Sequence, residues 1–451
     1  MSYLFVFRTS PDVDHIAPLA WKLLEEGHEV HGVVSPGYDA SGDYRIGLLR
    51  NYPRFVLHET WPPGARRGGL RERLRNLAAH VRCSLPYALT LLATKRVRCV
   101  GVEWGYGLPP AYDRPFSGRG AVAVLRSLAR SFGDGRADPH QVRGSFIAAA
   151  RLLGVPTVCL PHGLNVKLDA ATSDEAAARL AEGPLDWSDR NSFSVVVLNT
   201  EHQRKWHIEH AMGDPAVMKT WGSLRWSPEW FEMNRRLAPR FDWPESSDRL
   251  RVVYMAPKWR NLVHADEAAE LLRRIQELDF VSVAVMGHPR VNAGERPKDG
   301  STDPLRDHPD IDWSHIHDVT GVNSVSLIEA ADVVVDIGSS IGLEVIMQGK
   351  VLINPTYIHD LTTFFDTVEG AAVTAHSADE VTAYLRSHAE GAQHQVERSA
   401  YDELMRHAVY GSRGAPFDVL GEYAMNMQAL ATHKAPVLET APPRETAQAH
   451  G

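Results

Sequence analysis

Ala331-Asp-Val-Val-Val-Asp-Ile-Gly-Ser-Ser-Ile-Gly-Leu-Glu344 joins a run of valines to a helical apolar pattern through one tight turn. Val333–Asp336 is bounded by polar residues and too short for a helix, so it reads as a strand buried on both faces. Ile341–Gln348 has helical spacing, and Val351–Asn354 is the next apolar run. Strand, turn, helix and strand make one βα unit of a parallel sheet. Between strand and helix lie Gly338-Ser339-Ser340. A helix start presents unpaired N–H groups and a partial positive charge, and residues this small let a phosphate approach closely. Glu344, one turn into the helix, is placed to accept hydrogen bonds from ribose hydroxyls.

The pattern extends in both directions. Upstream, strands are expected at Arg251–Met255 and Val281–Met286, and helices at Asp266–Glu277 and Ser324–Ala330. Downstream, Ala378–His388 is helical. In the first half, Tyr3–Arg8, Val30–Ser35, Arg98–Val102, Pro156–Leu160 and Ser194–Leu198 read as strands. They alternate with helical stretches at His15–Glu26, Leu70–Ala93, Gln141–Leu153 and Glu201–His210. The Trp-, Pro- and Ser-rich segment between interrupts this alternation. The expected division is an N-terminal Rossmann-like domain at 1–221, an interdomain linker at 222–248 and a C-terminal Rossmann-like domain at 249–395. Closing helices follow at 396–433 and a disordered tail at 434–451. Two such domains facing each other across a cleft constitute the α/β fold class GT-B.

Composition narrows the function. The 451 residues are 44% hydrophobic and 23% charged, as in ordinary globular proteins. A formal net charge of -8 speaks against a nucleic-acid partner. Cys83, Cys99 and Cys159 share no metal-ligand spacing and suit a reducing compartment. No signal peptide and no apolar run near the ~20 residues of a membrane span can be read, so a cytoplasmic protein is expected. Residues 66–98 depart from the acidic average. They carry Arg66, Arg67, Arg71, Arg73, Arg75, Arg82, Lys95 and Arg96 against Glu72, with leucines at helical spacing. Such a segment is either a solvated helix face or a peripheral contact with the inner membrane face.

Two more strand ends carry cations. Val252-Val-Tyr-Met-Ala-Pro-Lys-Trp-Arg260 supplies Lys258 and Arg260, and Val283-Ala-Val-Met-Gly-His-Pro-Arg290 supplies His288 and Arg290. Both His and Arg donate to phosphate, and Arg can do so through two parallel bonds. In order and spacing, these stretches and the one at 331–344 resemble the C-terminal domain of the CDP-glycerol glycerophosphotransferases and related capsular polysaccharide transferases. The resemblance covers roughly residues 155–360, and Pro161-His162-Gly163 extends it into the first domain. It implies donor-contacting roles for His288, Ser339 and Ser340, and more loosely for Arg260 and Glu344. Where that family usually has Asp-Tyr before the serine pair, this chain has Asp336-Ile337-Gly338, which is closer to the Gly-rich turn of sugar transferases and UDP-sugar 2-epimerases.

The acceptor side falls to the first half. Asp14-His15-Ile-Ala-Pro18 resembles the first βα loop of UDP-sugar glycosyltransferases, in which a histidine deprotonates the acceptor; Asp14 stands where that family has Gly. His162, after an apolar strand, and Glu103, after Cys99–Val102, are rival bases. Among the 22 His no His-Glu-x-x-His appears, and neither a phosphate-binding Gly-Lys-Ser/Thr loop nor a dinucleotide Gly-x-Gly-x-x-Gly turn is present. The expectation is a metal-independent glycosyltransferase without cofactor. It would move a sugar from a CMP-, CDP- or UDP-linked donor to a cell-surface glycan or lipid-linked acceptor. Polyol-phosphate transfer from a CDP donor and 2-epimerisation of a UDP-sugar are the alternatives.

Overall fold

A computed structural model describes residues 1–35, 38–59, 81–103, 139–169, 171–181, 183, 193–210, 212–244, 248–259, 261–287, 304–392 and 394–432. The tail at 434–451, Arg260, His288, Arg290 and most of the basic segment (66–80) lie outside them.

Thirteen strands among these residues form two sheets, and every strand pairing within the sheets is parallel. The first holds β1 (Ser2–Phe7), β2 (Glu29–Val34), β3 (Phe55–Glu59), β4 (Cys99–Glu103), β5 (Thr157–Leu160), β6 (Val195–Leu198) and β7 (Met218–Thr220), in the order β3-β2-β1-β4-β5-β6-β7. The second holds β8 (Leu250–Met255), β9 (Val281–Met286), β10 (Ile316–Asp318), β11 (Val333–Asp336), β12 (Val351–Pro355) and β13 (Val373–Ala375), in the order β10-β9-β8-β11-β12-β13. Each order reverses once, between β1 and β4 and between β8 and β11. In open parallel sheets that reversal opens a crevice at the carboxyl ends of the strands, where ligands bind.

Among the described residues, the helices of the first half are α1 (Ser10–Glu25), α2 (Tyr44–Arg50), α3 (Leu85–Thr94), α4 (Pro139–Leu152), α5 (Asp174–Ala181) and α6 (Glu201–Glu209), with α7 (Pro228–Leu237) between the sheets. The second half has α8 (Ala265–Gln276), α9 (Ser324–Ala330), α10 (Ile341–Met347), α11 (Phe364–Thr367), α12 (Ala378–Ala389), α13 (Arg398–Ala408) and α14 (Val419–Thr432). All six residues of β1 are buried, as are all of β9, β11 and β12, because helices cover both sheet faces.

Two expectations are corrected. The first helix begins at Ser10, with Pro11 in its first turn, so His15 lies inside α1 and not on the β1–α1 turn. The single helix expected to run to Ala93 is broken, because Ser84 caps a fresh start at Leu85 by accepting the Tyr87 N–H at 3.4 Å. The segment 222–248, expected as the interdomain linker, runs from β7 to β8 and carries structure of its own. It contains α7, and its Trp226 and Trp230 are almost fully buried. Each indole removes enough apolar surface to contribute about 5 kcal/mol, an upper figure. The last described helix returns to the first domain, where α14 packs on α1 and the Tyr423 hydroxyl donates to the Gly222 carbonyl at 2.9 Å.

The two halves touch through the loop after β5. The Phe364 N–H donates to the Val166 carbonyl at 3.0 Å and the Leu168 N–H to the Thr362 carbonyl at 2.9 Å. A second tie runs through Arg225, which bonds Asp14 of α1 at 3.1 Å and Glu344 of α10 at 2.5 Å.

Candidate active site

The reversal point of the first sheet brings Arg8, just after β1, against Glu103, the last residue of β4. Arg8 is pinned by Asp12, donating through Nε at 2.9 Å and Nη2 at 3.2 Å, and its Nη2 also donates to Glu103 Oε2. The other oxygen of Glu103 is bonded to Nδ1 of His162, which lies on the loop after β5. Glu103 is fully buried, whereas the His162 side chain is 46% exposed. Burial pushes the Glu103 carboxyl up to about 7, and the bonds from His162 and the charge of Arg8 only partly oppose it. A carboxylate behind an imidazole fixes the ring and its tautomer. With Glu103 ionised, Nδ1 carries the proton and Nε2 offers a lone pair. This is the arrangement of a general base oriented by an acid.

Gly163 makes the turn that presents His162, at φ +67° in the left-handed region. Its N–H donates to His15 Nε2 at 2.9 Å, and its carbonyl accepts from the Asn199 amide at the end of β6. His15 is 3% exposed, and burial pulls it down to about 3. With Nε2 occupied and the ring held neutral, His15 positions the turn and is not available as the base. Asp14 is bonded to Arg45 and Arg225.

The second sheet repeats the geometry. Met255 of β8 is in register with Met286 of β9 on one side and Asp336 of β11 on the other. The ends leading to Lys258, to Gly287 and to Gly338-Ser339-Ser340 therefore share one edge of the sheet. The described parts of all three stretches singled out from the sequence emerge there; Arg260, His288 and Arg290 lie outside the described residues. Asp336 is buried and pushed up to about 6 by burial. It shapes the turn by accepting from the Ser339 N–H at 3.0 Å and the Ser339 hydroxyl at 2.7 Å. Gly338 takes φ +63°, and a Cβ there would meet His359 Nε2 at 3.3 Å. Ser340 is the N-cap of α10 without a side-chain cap bond, and Lys258 is exposed.

Glu344, expected to face a ribose, is 1% exposed, and its two oxygens accept from Arg225 at 2.5 Å and from the Ser324 hydroxyl at 2.8 Å, so it ties the two domains together. Among the described residues, no three His, Cys, Asp or Glu side chains gather as metal ligands, and no helix is long and apolar enough to cross a membrane.

The sequence reading missed Arg8, Asn199 and Arg225. Arg8 and Glu103 are 95 residues apart in the chain, and Arg225 and Glu344 are 119 apart, so no local spacing marks them. Arg8 alone had a signal, as a cation at the end of the first strand.

No protein-family model matches the chain, and no curated protein matches it in sequence. Solved structures do match over nearly the whole length. A Listeria monocytogenes protein provisionally named a UDP-N-acetylglucosamine 2-epimerase superposes with a TM-score of 0.52 at 11% identity, over 96% of this chain and 98% of that one. The fold is GT-B. At this identity the likeness is one of architecture. Methanocaldococcus jannaschii UDP-GlcNAc 2-epimerase, in complex with UDP-GlcNAc and UDP, matches at 12% identity and TM-score 0.47, over 90% and 99% of the two chains. Acinetobacter baumannii MurG matches at 14% and 0.41, over 95% and 100%. In this GT-B chain the reversal points of both sheets carry polar constellations, and the loop after β5 runs from one toward the other.

Proposed function

We propose that the protein is a glycosyltransferase that moves a sugar from a nucleotide-activated donor to a hydroxyl of a glycan or lipid-linked acceptor. The observation that carries this reading is the His162–Glu103 pair: an exposed imidazole backed by a buried carboxylate at the reversal point of the acceptor-side sheet. The turn at Gly338-Ser339-Ser340, on the facing domain, supports a donor whose phosphates lie there.

In this mechanism His162 Nε2 accepts the proton of the acceptor hydroxyl while that oxygen bonds to the anomeric carbon. The bond from that carbon to the phosphate oxygen breaks, and the nucleotide leaves with the electron pair. Glu103 holds the Nδ1 proton and balances the imidazolium. When Glu103 is protonated, its own O–H donates to Nδ1, and the ring then carries its proton on Nε2, the wrong tautomer for a base. Transfer therefore falls as pH drops below about 7, the value set by burial of Glu103. Closure of the junction excludes water and suppresses hydrolysis of the donor.

Turnover of CMP-, CDP-, UDP-, GDP- and dTDP-sugars with glycan acceptors, scored by product linkage, tests the reading. A new glycosidic bond that disappears in His162→Ala is the expected result, with a loss of about 10²–10⁴. The stretches at 252–260 and 283–290 favour one second reading, transfer of a polyol phosphate from a CDP donor by the same base, which would give a phosphodiester. Conversion of a UDP-sugar with no acceptor present would overturn both in favour of an epimerase.

A further inference from the structure

Arg225 stands between the base and the serine turn without belonging to either. It lies on the segment from β7 to α7, and its guanidinium spans the domain junction. Nη1 donates to Asp14 of α1 at 3.1 Å and Nη2 to Glu344 of α10 at 2.5 Å. Each carboxylate is held again from its other side, Asp14 by Arg45 and Glu344 by the Ser324 hydroxyl at 2.8 Å. Arg45, Asp14, Arg225, Glu344 and Ser324 thus form one unbroken row of donors and acceptors, from α2 of the first domain to α9 of the second.

Both ends of the row lead to functional groups. Glu344 follows Ser340 by one helical turn, so its bonds hold the start of α10 and with it the turn at 338–340. At the other end two contacts run from Arg225 to His15. Asp14 precedes His15 in α1, and the guanidinium lies 4.9 Å over the Trp226 ring, whose centre is 6.2 Å from that of the His15 imidazole. Trp226 is fully buried, so it transmits a shift of Arg225 and does not swing away from it. His15 in turn accepts the N–H of Gly163, the residue that presents His162. Burial is the main reason that His15 stays a neutral acceptor, and the charge of Arg225 assists against that of Asp14.

A guanidinium presents its donors in a rigid planar fork, so two carboxylates bonded to its two ends are held at a set separation. We infer that Arg225 is a positioning residue: by bridging Asp14 and Glu344 it fixes His162 in register with the turn at 338–340, so that the second domain orients the base of the first. The catalytic consequence rests on the transferase reading, whereas the coupling itself does not. Beside the row the Asn323 amide donates to the Tyr44 hydroxyl at 3.1 Å, and the loop after β5 has its own two bonds to the second domain. Weakening the row therefore leaves the domains joined and changes how they are aligned.

The test pairs amide hydrogen exchange with kinetics, both on the full chain. Glu344→Gln removes the charge at the second-domain end of the row, and Arg225→Met keeps an apolar stem over Trp226 but removes the fork. Each should speed exchange in peptides covering 162–165 about tenfold by mass spectrometry, the loss of roughly one hydrogen bond. Arg251→Met breaks the Arg251–Asp332 pair at the amino ends of β8 and β11, and as a control for a weakened second domain it should leave that exchange unchanged. In turnover both junction variants should lower kcat about tenfold with the donor KM unchanged, and raise the share of donor lost to water. Because the effect passes through His15, Glu344→Gln should lower kcat no further in a His15→Ala background, whereas an independent structural effect would multiply. Unchanged exchange at 162–165, or rates that multiply in the double variant, overturns the inference. Glu344→Gln alone carries the test if Arg225→Met folds poorly. Faster exchange at 162–165 in a protein that turns over no nucleotide sugar keeps the coupling and removes the transferase reading. Sugar transfer with wild-type exchange in Glu344→Gln does the reverse.

Discussion

Glu103→Gln separates catalysis from stability, because the carboxylate that the base needs is one the fold would rather not ionise. The carboxyl is buried, and its pKa stands at about 7 against an ordinary 4.5. At about 1.4 kcal/mol per pH unit, that gap is about 3 kcal/mol. The sign follows from proton linkage. A pKa raised in the folded state means that the native protein holds the proton more tightly than the unfolded chain. The stabilisation is complete below pH 4.5 and is lost as pH rises through about 7. The amide of the variant would not titrate, and Arg8 keeps its two bonds to Asp12. The stability of Glu103→Gln relative to wild type should therefore improve by about 3 kcal/mol between pH 4.5 and pH 8. Urea midpoints across that range, with thermal midpoints as a check, measure it. At pH 8, where the wild-type carboxyl is ionised, the variant should lose about 10²–10⁴ of its transfer rate, since an amide cannot balance the His162 imidazolium. A stability difference flat in pH, or a variant with wild-type turnover, would refute the reasoning.

Further predictions address the surrounding residues. His15→Ala should slow transfer about tenfold by freeing the Gly163 turn, while the acid limb of the pH–rate profile stays near pH 7, because a ring held neutral down to about 3 does not own that limb. Arg225→Ala leaves Glu344 buried with only Ser324 as partner and should cost about 3–5 kcal/mol in urea denaturation. Gly338→Ala forces a left-handed alanine against His359, which should cost about 1–2 kcal/mol in thermal denaturation and weaken nucleotide binding in a thermal-shift assay. His288→Ala should abolish turnover and weaken nucleotide binding with the melting temperature nearly unchanged.

The sequence carried the parallel sheets well, because β1, β4, β9, β11 and β12 are buried on both faces and stand out as apolar runs. The edge strands were silent. β7, β10 and β13 have three residues each, too few for any periodicity, and β3 is partly exposed. The likeness of Asp14-His15-Ile-Ala-Pro18 to a βα loop misled the reading of the first helix, which was expected to start at His15 but starts at Ser10. For the site, Glu103, His162 and Gly338–Ser340 were legible because strand ends in a parallel sheet are where chemistry collects. Their partners were not. Arg8 meets Glu103, Asn199 meets Gly163 and Arg225 meets Glu344 only after folding, and whether a histidine is a base or a buried anchor depends on neighbours distant in the chain. His15 and His162 looked alike as sequence; burial and one bond to Gly163 divide their roles.

The central claim is that His162 and the Gly338-Ser339-Ser340 turn face one bound donor. A crystal structure of the full chain with a nucleoside diphosphate chosen by thermal shift tests it most directly. Diphosphate oxygens are expected against the backbone of 338–340, with the terminal phosphate turned toward His162 Nε2 and Glu103 still behind the ring. Phosphates bound elsewhere, or His162 parted from Glu103 and turned out of the cleft, would contradict it.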